Sequence, residues 1–381
     1  MKTILKISIV LLASLLFFST VPISFAGDVL PFDVNAKSAV LMEASTGTVL
    51  YSKNADEALP PASVTKVMTL LLIMESVDSG ALPLDEMISV SEYAASMGGS
   101  QVFLEPGEQM SAEELIKCVV IASANDAAVA LAESVAGSET AFVSLMNERA
   151  ASLGLTNSRF ENVTGLDDDT VDHVMSANDI AVISRELMKH DKIFEFSKTW
   201  MDSVRNGTFG LTNTNRLIRF YKGATGLKTG STSKAKFCIS ATAERDGMHL
   251  IAVIMGSETR DTRNEAAKQL LDWGFATYTV YKNEGGKVGE ITVAGGKKVK
   301  TSVNCPPIVM LLPKAKQGSV VPEYLFEEKA AAPLKAGEKI GEVRYVSGEE
   351  VISSAPLTVS DSVERVGFFD VLIGVLKELL M

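Results

Sequence analysis

Cysteine, histidine and tryptophan are scarce, with 3, 3 and 2 copies in 381 residues. Cys118, Cys238 and Cys305 are odd in number and far apart. That excludes a disulfide framework or a Cys-x-x-Cys metal site and leaves three small buried hydrophobes. His173, His190 and His249 have no Gly-x-Ser-x-Gly elbow to serve, which disfavours a Ser/His/Asp hydrolase; each reads as a surface or hydrogen-bonded residue. Positive charge is also short: 36 Lys and Arg stand against 47 Asp and Glu, a net charge of -11. Such a chain lacks the basic face that nucleic acid requires. There is no P-loop, Gly-x-Gly-x-x-Gly run or zinc-finger spacing, so no nucleotide, flavin or metal cofactor is expected.

Long apolar runs are missing except at the N-terminus. There Lys2 and Lys6 precede an uncharged stretch, 7–26, that is nearly all apolar over 9–18 and ends in Ser24-Phe25-Ala26. This is the pattern of a secretory signal cut after Ala26, and the run is short for a retained membrane span. The expected location is therefore outside the cytoplasmic membrane. Hydrophobic residues make up 46% of the chain and charged residues 22%, enough to build a core. At roughly 100–200 residues per domain, the length suggests two or three domains.

Alternation over 38–52, with Ser45-Thr46-Gly47 between its arms, predicts a hairpin. Leu59-Pro60-Pro61-Ala62-Ser63 then opens a helix whose 67–74 stretch is apolar on every side and should be buried all round. Helical periodicity follows over 112–121, 124–136, 139–153 and 177–189. Strands at 237–243 and 248–255 flank Arg245-Asp246-Gly247, a hairpin turn, and a helix follows at 263–275. The order strand pair, helical block, strand pair, helix predicts one α+β domain whose sheet joins strands from both ends, over 27–276. Short alternating runs between 277 and 361 predict a small all-β domain. The last segment, 362–381, gathers Gly367, Asp370, Gly374, Lys377 and Glu378 on one helical face and apolar residues on the other. Its charges interrupt the run, so the expectation is a helix lying in a membrane interface. A helix packed on its own domain is the alternative.

Three short motifs occur in order: Ser63-Val64-Thr65-Lys66, Ser123-Ala124-Asn125 and Lys228-Thr229-Gly230. Singly they mean little. Ser-x-x-Lys recurs at Ser231/Lys234 and Ser233/Lys236, and Ser176-Ala177-Asn178 repeats the second motif and can simply cap a helix. Only Ser63 opens a buried helix, where residues three apart share a face and the hydroxyl can meet the Lys66 amine. A serine hydroxyl needs a base to take its proton, and Lys66 can be that base only when neutral. Burial and a nearby cation, Lys228, would both lower its pKa. Ser123 can relay the proton to a leaving amine, and Asn125 can hold the substrate amide or Lys66. Lys228 and the Thr229 hydroxyl offer a charge and a donor to a carboxylate. The Ser63 N–H at a helix start is placed for an oxyanion hole, with a second donor after the Lys-Thr-Gly run at Ser231.

This ordered set resembles the low-molecular-mass penicillin-binding proteins of the D-alanyl-D-alanine carboxypeptidase type. Pro61-Ala62-Ser63, Phe103-Leu104-Glu105-Pro106-Gly107, Thr164-Gly165-Leu166 and Gly226-Leu227 resemble the family as well. The resemblance implies a serine β-lactamase/transpeptidase-like catalytic domain, an antiparallel sheet plus a helical block, followed by the all-β domain and an amphipathic anchor. It implies an acyl-enzyme at Ser63, Lys66 as proton acceptor, Ser123 as relay, and Asn125, Lys228, Thr229, Gly230 and Ser231 against the substrate. The implied substrates are peptidoglycan stem peptides ending in D-Ala-D-Ala, with β-lactams as acylating agents, at the outer face of the cytoplasmic membrane. Ser231 stands where some members have His, and Lys236 where many have Gly. The arginine that holds the substrate carboxylate is open among Arg216, Arg260 and Arg263.

Two rivals share features of this reading. A class A β-lactamase would carry Glu-x-x-x-Asn between the second and third motifs; here Glu161 and Asn162 are adjacent. A non-catalytic wall-binding protein would not be expected to keep every named catalytic residue.

Overall fold

The 38–52 hairpin forms as Ser38–Glu43 and Val49–Lys53. Buried Glu43 organises its turn, accepting hydrogen bonds from the amides and hydroxyls of Ser45 and Thr46. The structure is a computed structural model and describes residues 32–168 and 170–380. The signal-like segment 1–26 lies outside the described residues.

The hairpin is the edge of a five-stranded antiparallel sheet. Ser38–Glu43 pairs with Met248–Ser257, in register Ala39 to Ile254, so strands from the two ends of the segment do meet. Next come Lys236–Arg245 and then Ala224–Thr232. Asp246 and Gly247 form the two-residue turn at φ +51° and +75°, as a type I′ hairpin requires. The Lys-Thr-Gly run lies just before that pair, within a third strand that pairs Lys228 with Ser240. Its glycines weaken the alternation that would have marked it as a strand.

The helix Arg260–Thr277 packs on one face of the sheet, where Gly274 admits the side chains of Leu41 and Leu250. It starts three residues before the sequence pattern begins, because Thr259 and Thr262 form a capping box. Ala177–Leu187 packs on the sheet through Ser184, whose hydroxyl meets that of Ser240 at 2.7 Å. Ser176 caps that helix by accepting from Asp179 N–H, so the second Ser-Ala-Asn is structural. Lys66–Asp78 runs through the middle, with Val67, Met68, Leu70, Leu71, Ile73 and Met74 all buried. The helix expected over 112–121 forms as Ala112–Lys117 and widens into a π-helical turn, Cys118–Ala122, before Ser123 in the left-handed conformation. Asn125–Ala136 follows, packed through Ala127, Ala128, Ala130 and Ala132.

A six-stranded sheet follows, with Val320–Phe326 and Lys329–Ala331 at its edges, around a separate core that includes Ile291, Val303, Tyr345 and Leu357. Phe368–Leu379 is helical, and Phe368, Phe369, Leu379 and Leu380 are 75–85% exposed. Those four apolar side chains therefore face solvent. Among the described residues no single helix is long and apolar enough to cross a membrane. All three cysteines are free and buried.

Leu71 sits fully buried in the central helix. Leu71→Ala should cost about 2–5 kcal/mol, read as a lower midpoint of thermal unfolding.

Candidate active site

Pro61 and Ala62 lead into a tight 3₁₀ turn, Ala62–Thr65, and Lys66 begins the α-helix proper. Ala62 takes φ +48°, a costly conformation for a residue with a Cβ. Within 61–71 Ser63 is, with Thr65 and Lys66 buried beside it, the residue of the turn that keeps access to solvent. It opens onto a cleft of about 700 Å³ lined also by Ser123, Thr229, Gly230 and Ser231.

Lys66 is fully buried beneath Ser63. Its Nζ lies 3.1 Å from Ser63 Oγ, 2.5 Å from Asn125 Oδ1 and 2.9 Å from Thr164 O. Asn125 is oriented by its own Nδ2, which donates to Gly98 O at 2.7 Å and so turns Oδ1 toward the lysine. Asn125 Oδ1 and Thr164 O can only accept. A neutral amine has two N–H donors and one lone pair. Two donors to the fixed acceptors leave the lone pair for the Ser63 hydroxyl. Burial, then the charge on Lys228, hold the Lys66 pKa well below its ordinary value, and Asp126 opposes them.

Lys228 is the second buried lysine. Its Nζ is 2.8 Å from Ser123 Oγ and 3.1 Å from Thr229 O. Burial, reinforced by Arg263, lowers its pKa to about 7. Ser123 reaches it from the left-handed corner, φ +64°, that ends the turn before Asn125. Thr229 donates its hydroxyl to Thr214 at 2.8 Å. Gly230 passes over the Ser63 turn: a Cβ there would lie 2.8 Å from Ser63 N and 2.9 Å from Val64 N. The last glycine of the third motif is thus a packing requirement.

All eight residues singled out in the sequence converge here. The arginines separate. Arg263 is buried and bonded to Cys238 O and Asn264 Oδ1, whereas Arg216 and Arg260 are exposed on the cleft wall. Sequence reasoning did not find Thr164, whose carbonyl holds Lys66, or Thr214, Trp200 and Phe220 on the wall. A carbonyl leaves no residue-type signal, and the family-like Thr164-Gly165-Leu166 was the only pointer to that loop. Gly165 packs against the 62–65 turn so closely that a Cβ would fall 1.9 Å from Ala62 O.

The rivals fare poorly in this geometry. Glu161 spends its carboxylate on the amides of Val171 and Asp172. Among the described residues no carboxylate or histidine is hydrogen-bonded to Ser63 or Lys66.

A family model described as D-alanyl-D-alanine carboxypeptidase matches residues 26–259, well over half of the chain. The chain belongs to the D-alanyl-D-alanine carboxypeptidase family. It is a serine-type D-Ala-D-Ala carboxypeptidase among the penicillin-binding proteins, acting on cell-wall peptides. A second family model, penicillin-binding protein 5, C-terminal domain, matches residues 275–365. The Bacillus subtilis D-alanyl-D-alanine carboxypeptidase DacF is 42% identical over 87% of this chain and 87% of its own length. The Escherichia coli D-alanyl-D-alanine carboxypeptidase DacC is 32% identical over 93% and 92%. Among solved structures, penicillin-binding protein 5 from Haemophilus influenzae superposes with a TM-score of 0.76 at 31% identity, covering 89% of this chain and all of that one.

In this carboxypeptidase, Gly230→Ala would press a methyl group against the Ser63 and Val64 amides. A displacement on the order of 1 Å at a reacting group costs about 10²-fold. Penicillin acylation should slow by that order while the circular dichroism spectrum stays that of the wild type.

Proposed function

We propose that Ser63 is the nucleophile of this carboxypeptidase and Lys66 its general base. The observation that carries the reading is the set of three partners around Lys66 Nζ, which fits a neutral amine whose lone pair faces the Ser63 hydroxyl. Ser63 Oγ attacks the carbonyl carbon of the D-Ala-D-Ala bond as its proton passes to Lys66. The carbonyl oxygen becomes an oxyanion between the N–H groups of Ser63 and Ser231. The close pass of Gly230 over Ser63 N supports that pairing. Ser123 relays a proton to the leaving nitrogen, supported by its contact with Lys228. The C–N bond breaks, D-alanine departs, and water cleaves the ester to restore Ser63. A β-lactam enters by the same attack, but its leaving nitrogen stays tethered and the ester persists.

Lys228 and Thr229 recognise the substrate carboxylate, while Asn125 holds Lys66. Arg216 and Arg260 join the carboxylate site, because both face the cleft and neither makes an ion pair among the described residues. Three arginines, Arg216, Arg260 and Arg263, line one cleft in a chain of net charge -11, which favours a carboxylate-bearing ligand.

The chain divides into a signal peptide over 1–26, the catalytic domain over 27–276, the all-β domain over 277–361 and the anchor over 362–381. The protein is exported and held at the outer face of the cytoplasmic membrane by its last helix. The exposed apolar side chains of Phe368–Leu379 support the anchor.

Ser63→Ala should abolish both penicillin labelling and D-alanine release; label retained on Ser123 or Ser231 would refute the assignment. Lys66→Arg keeps the charge but cannot accept the proton, so acylation should be lost with the fold retained. For the wild type, kcat/KM reports the free enzyme. It should rise with pH as Lys66 deprotonates at its depressed pKa, then decline above about 7 as Lys228 loses the charge that holds the carboxylate.

Deleting 362–381 should release the protein into the soluble fraction with peptidase activity intact. The segment holds two cations and three anions, so salt should not strip the full-length protein as it strips a polybasic anchor. A truncated protein that still sediments with membranes would overturn the anchor.

A further inference from the structure

Ala62, immediately before the nucleophile, is in the left-handed region, and something must hold it there. Its carbonyl accepts a hydrogen bond from the Thr65 hydroxyl at 2.9 Å. The Thr65 oxygen in turn lies 2.8 Å from His173 Nε2, both residues being buried. The Thr65 proton goes to the carbonyl, so the Thr65 oxygen accepts and Nε2 carries the hydrogen. The other ring nitrogen agrees. His173 Nδ1 lies 3.0 Å from the Glu161 N–H, where it can only accept. The ring is therefore the neutral Nε2–H tautomer, donating at one end and accepting at the other. Phe160 closes over it edge-on, with ring centroids 6.0 Å apart.

These bonds join two segments that both reach Lys66. On one side stands the 62–65 turn, which carries Ser63. On the other is the loop after Glu161, where Asn162 Oδ1 accepts from the amides of Thr164 and Gly165. Thr164 O then accepts from Lys66. His173 lies outside the cleft lining.

We propose that His173 is a positioning residue for the reaction, which through Thr65 fixes the backbone turn that aims Ser63 at Lys66. The proposal rests on the reading of Ser63 as nucleophile. It assigns the work to Nε2–H and the Thr65 hydroxyl, with the Nδ1 contact a brace for the loop.

The test uses the full chain and follows penicillin acylation, the kinetics of a D-Ala-D-Ala peptide and the midpoint of unfolding. Thr65→Val removes the link at constant shape. Acylation and kcat should fall about tenfold, the rate equivalent of one net hydrogen bond. KM should stay within about twofold, because the carboxylate partners are untouched. The order of two histidine variants gives the second reading. Gln can reach Thr65 as Nε2 does, whereas Asn can replace only Nδ1. His173→Gln should therefore acylate faster than His173→Asn. Thr65→Val acylating at the wild-type rate, or Asn outperforming Gln, would overturn the positioning role and leave a loop brace. Mapping the label separates the two readings: label on a serine other than Ser63 refutes the nucleophile itself, while label on Ser63 at an unchanged rate refutes only His173.

Discussion

The site depends on keeping an amine dry. Lys66 has no access to water, and its three polar partners come from three separate stretches of chain, at Ser63, Asn125 and Thr164. A charged lysine in that position would be costly to desolvate, and a second cation, Lys228, stands behind Ser123. The protein meets this constraint by holding the amine with fixed acceptors and no directly bonded carboxylate. What results is a buried amine whose pKa burial and the charge on Lys228 hold well below its ordinary value.

The fold supplies the walls of that dry site. The central helix is buried on all sides because the sheet, the Ala177–Leu187 helix and the alanine-rich Asn125–Ala136 helix enclose it. Asp126, next to Asn125, accepts from the amides of Val102 and Leu104 and so ties the Asn125 segment to the loop before it. The opposite wall is the Ala224–Thr232 strand, whose end is fastened to the Thr164–Asp167 loop by the Thr232 hydroxyl on Asp167 and by Lys234 on the Asp167 carbonyl. The loop that holds Lys66 and the strand that carries Lys228 are thus parts of one frame.

Close approach explains the glycines that matter here. Gly165 and Gly230 face the Ser63 turn from two directions, and a methyl group on either would collide with backbone atoms. Backbone cannot move aside as a flexible side chain can. The same crowding keeps the turn from relaxing and leaves Ser63 as its accessible residue.

The sequence alone determined the motifs, their order and the burial of the helix that Ser63 opens, because residue type and apolar periodicity are local properties. It also determined the small cysteine count, the acidic balance and the β-rich composition after residue 276. The two Ser-Ala-Asn runs differ in their contacts: Ser176 is a cap, while Ser123 meets Lys228. Tertiary structure alone decided the rest. The left-handed corner at Ser123 that ends the 112–122 helical run turns on one backbone angle that no periodicity encodes. The Lys-Thr-Gly strand gained its identity from pairing with Lys236–Arg245. Thr164 contributes a carbonyl, which every residue possesses, and the arginines parted according to burial. The Lys66 contacts to Asn125 and Thr164 join segments 59 and 98 residues apart, and no reading along the chain contains them.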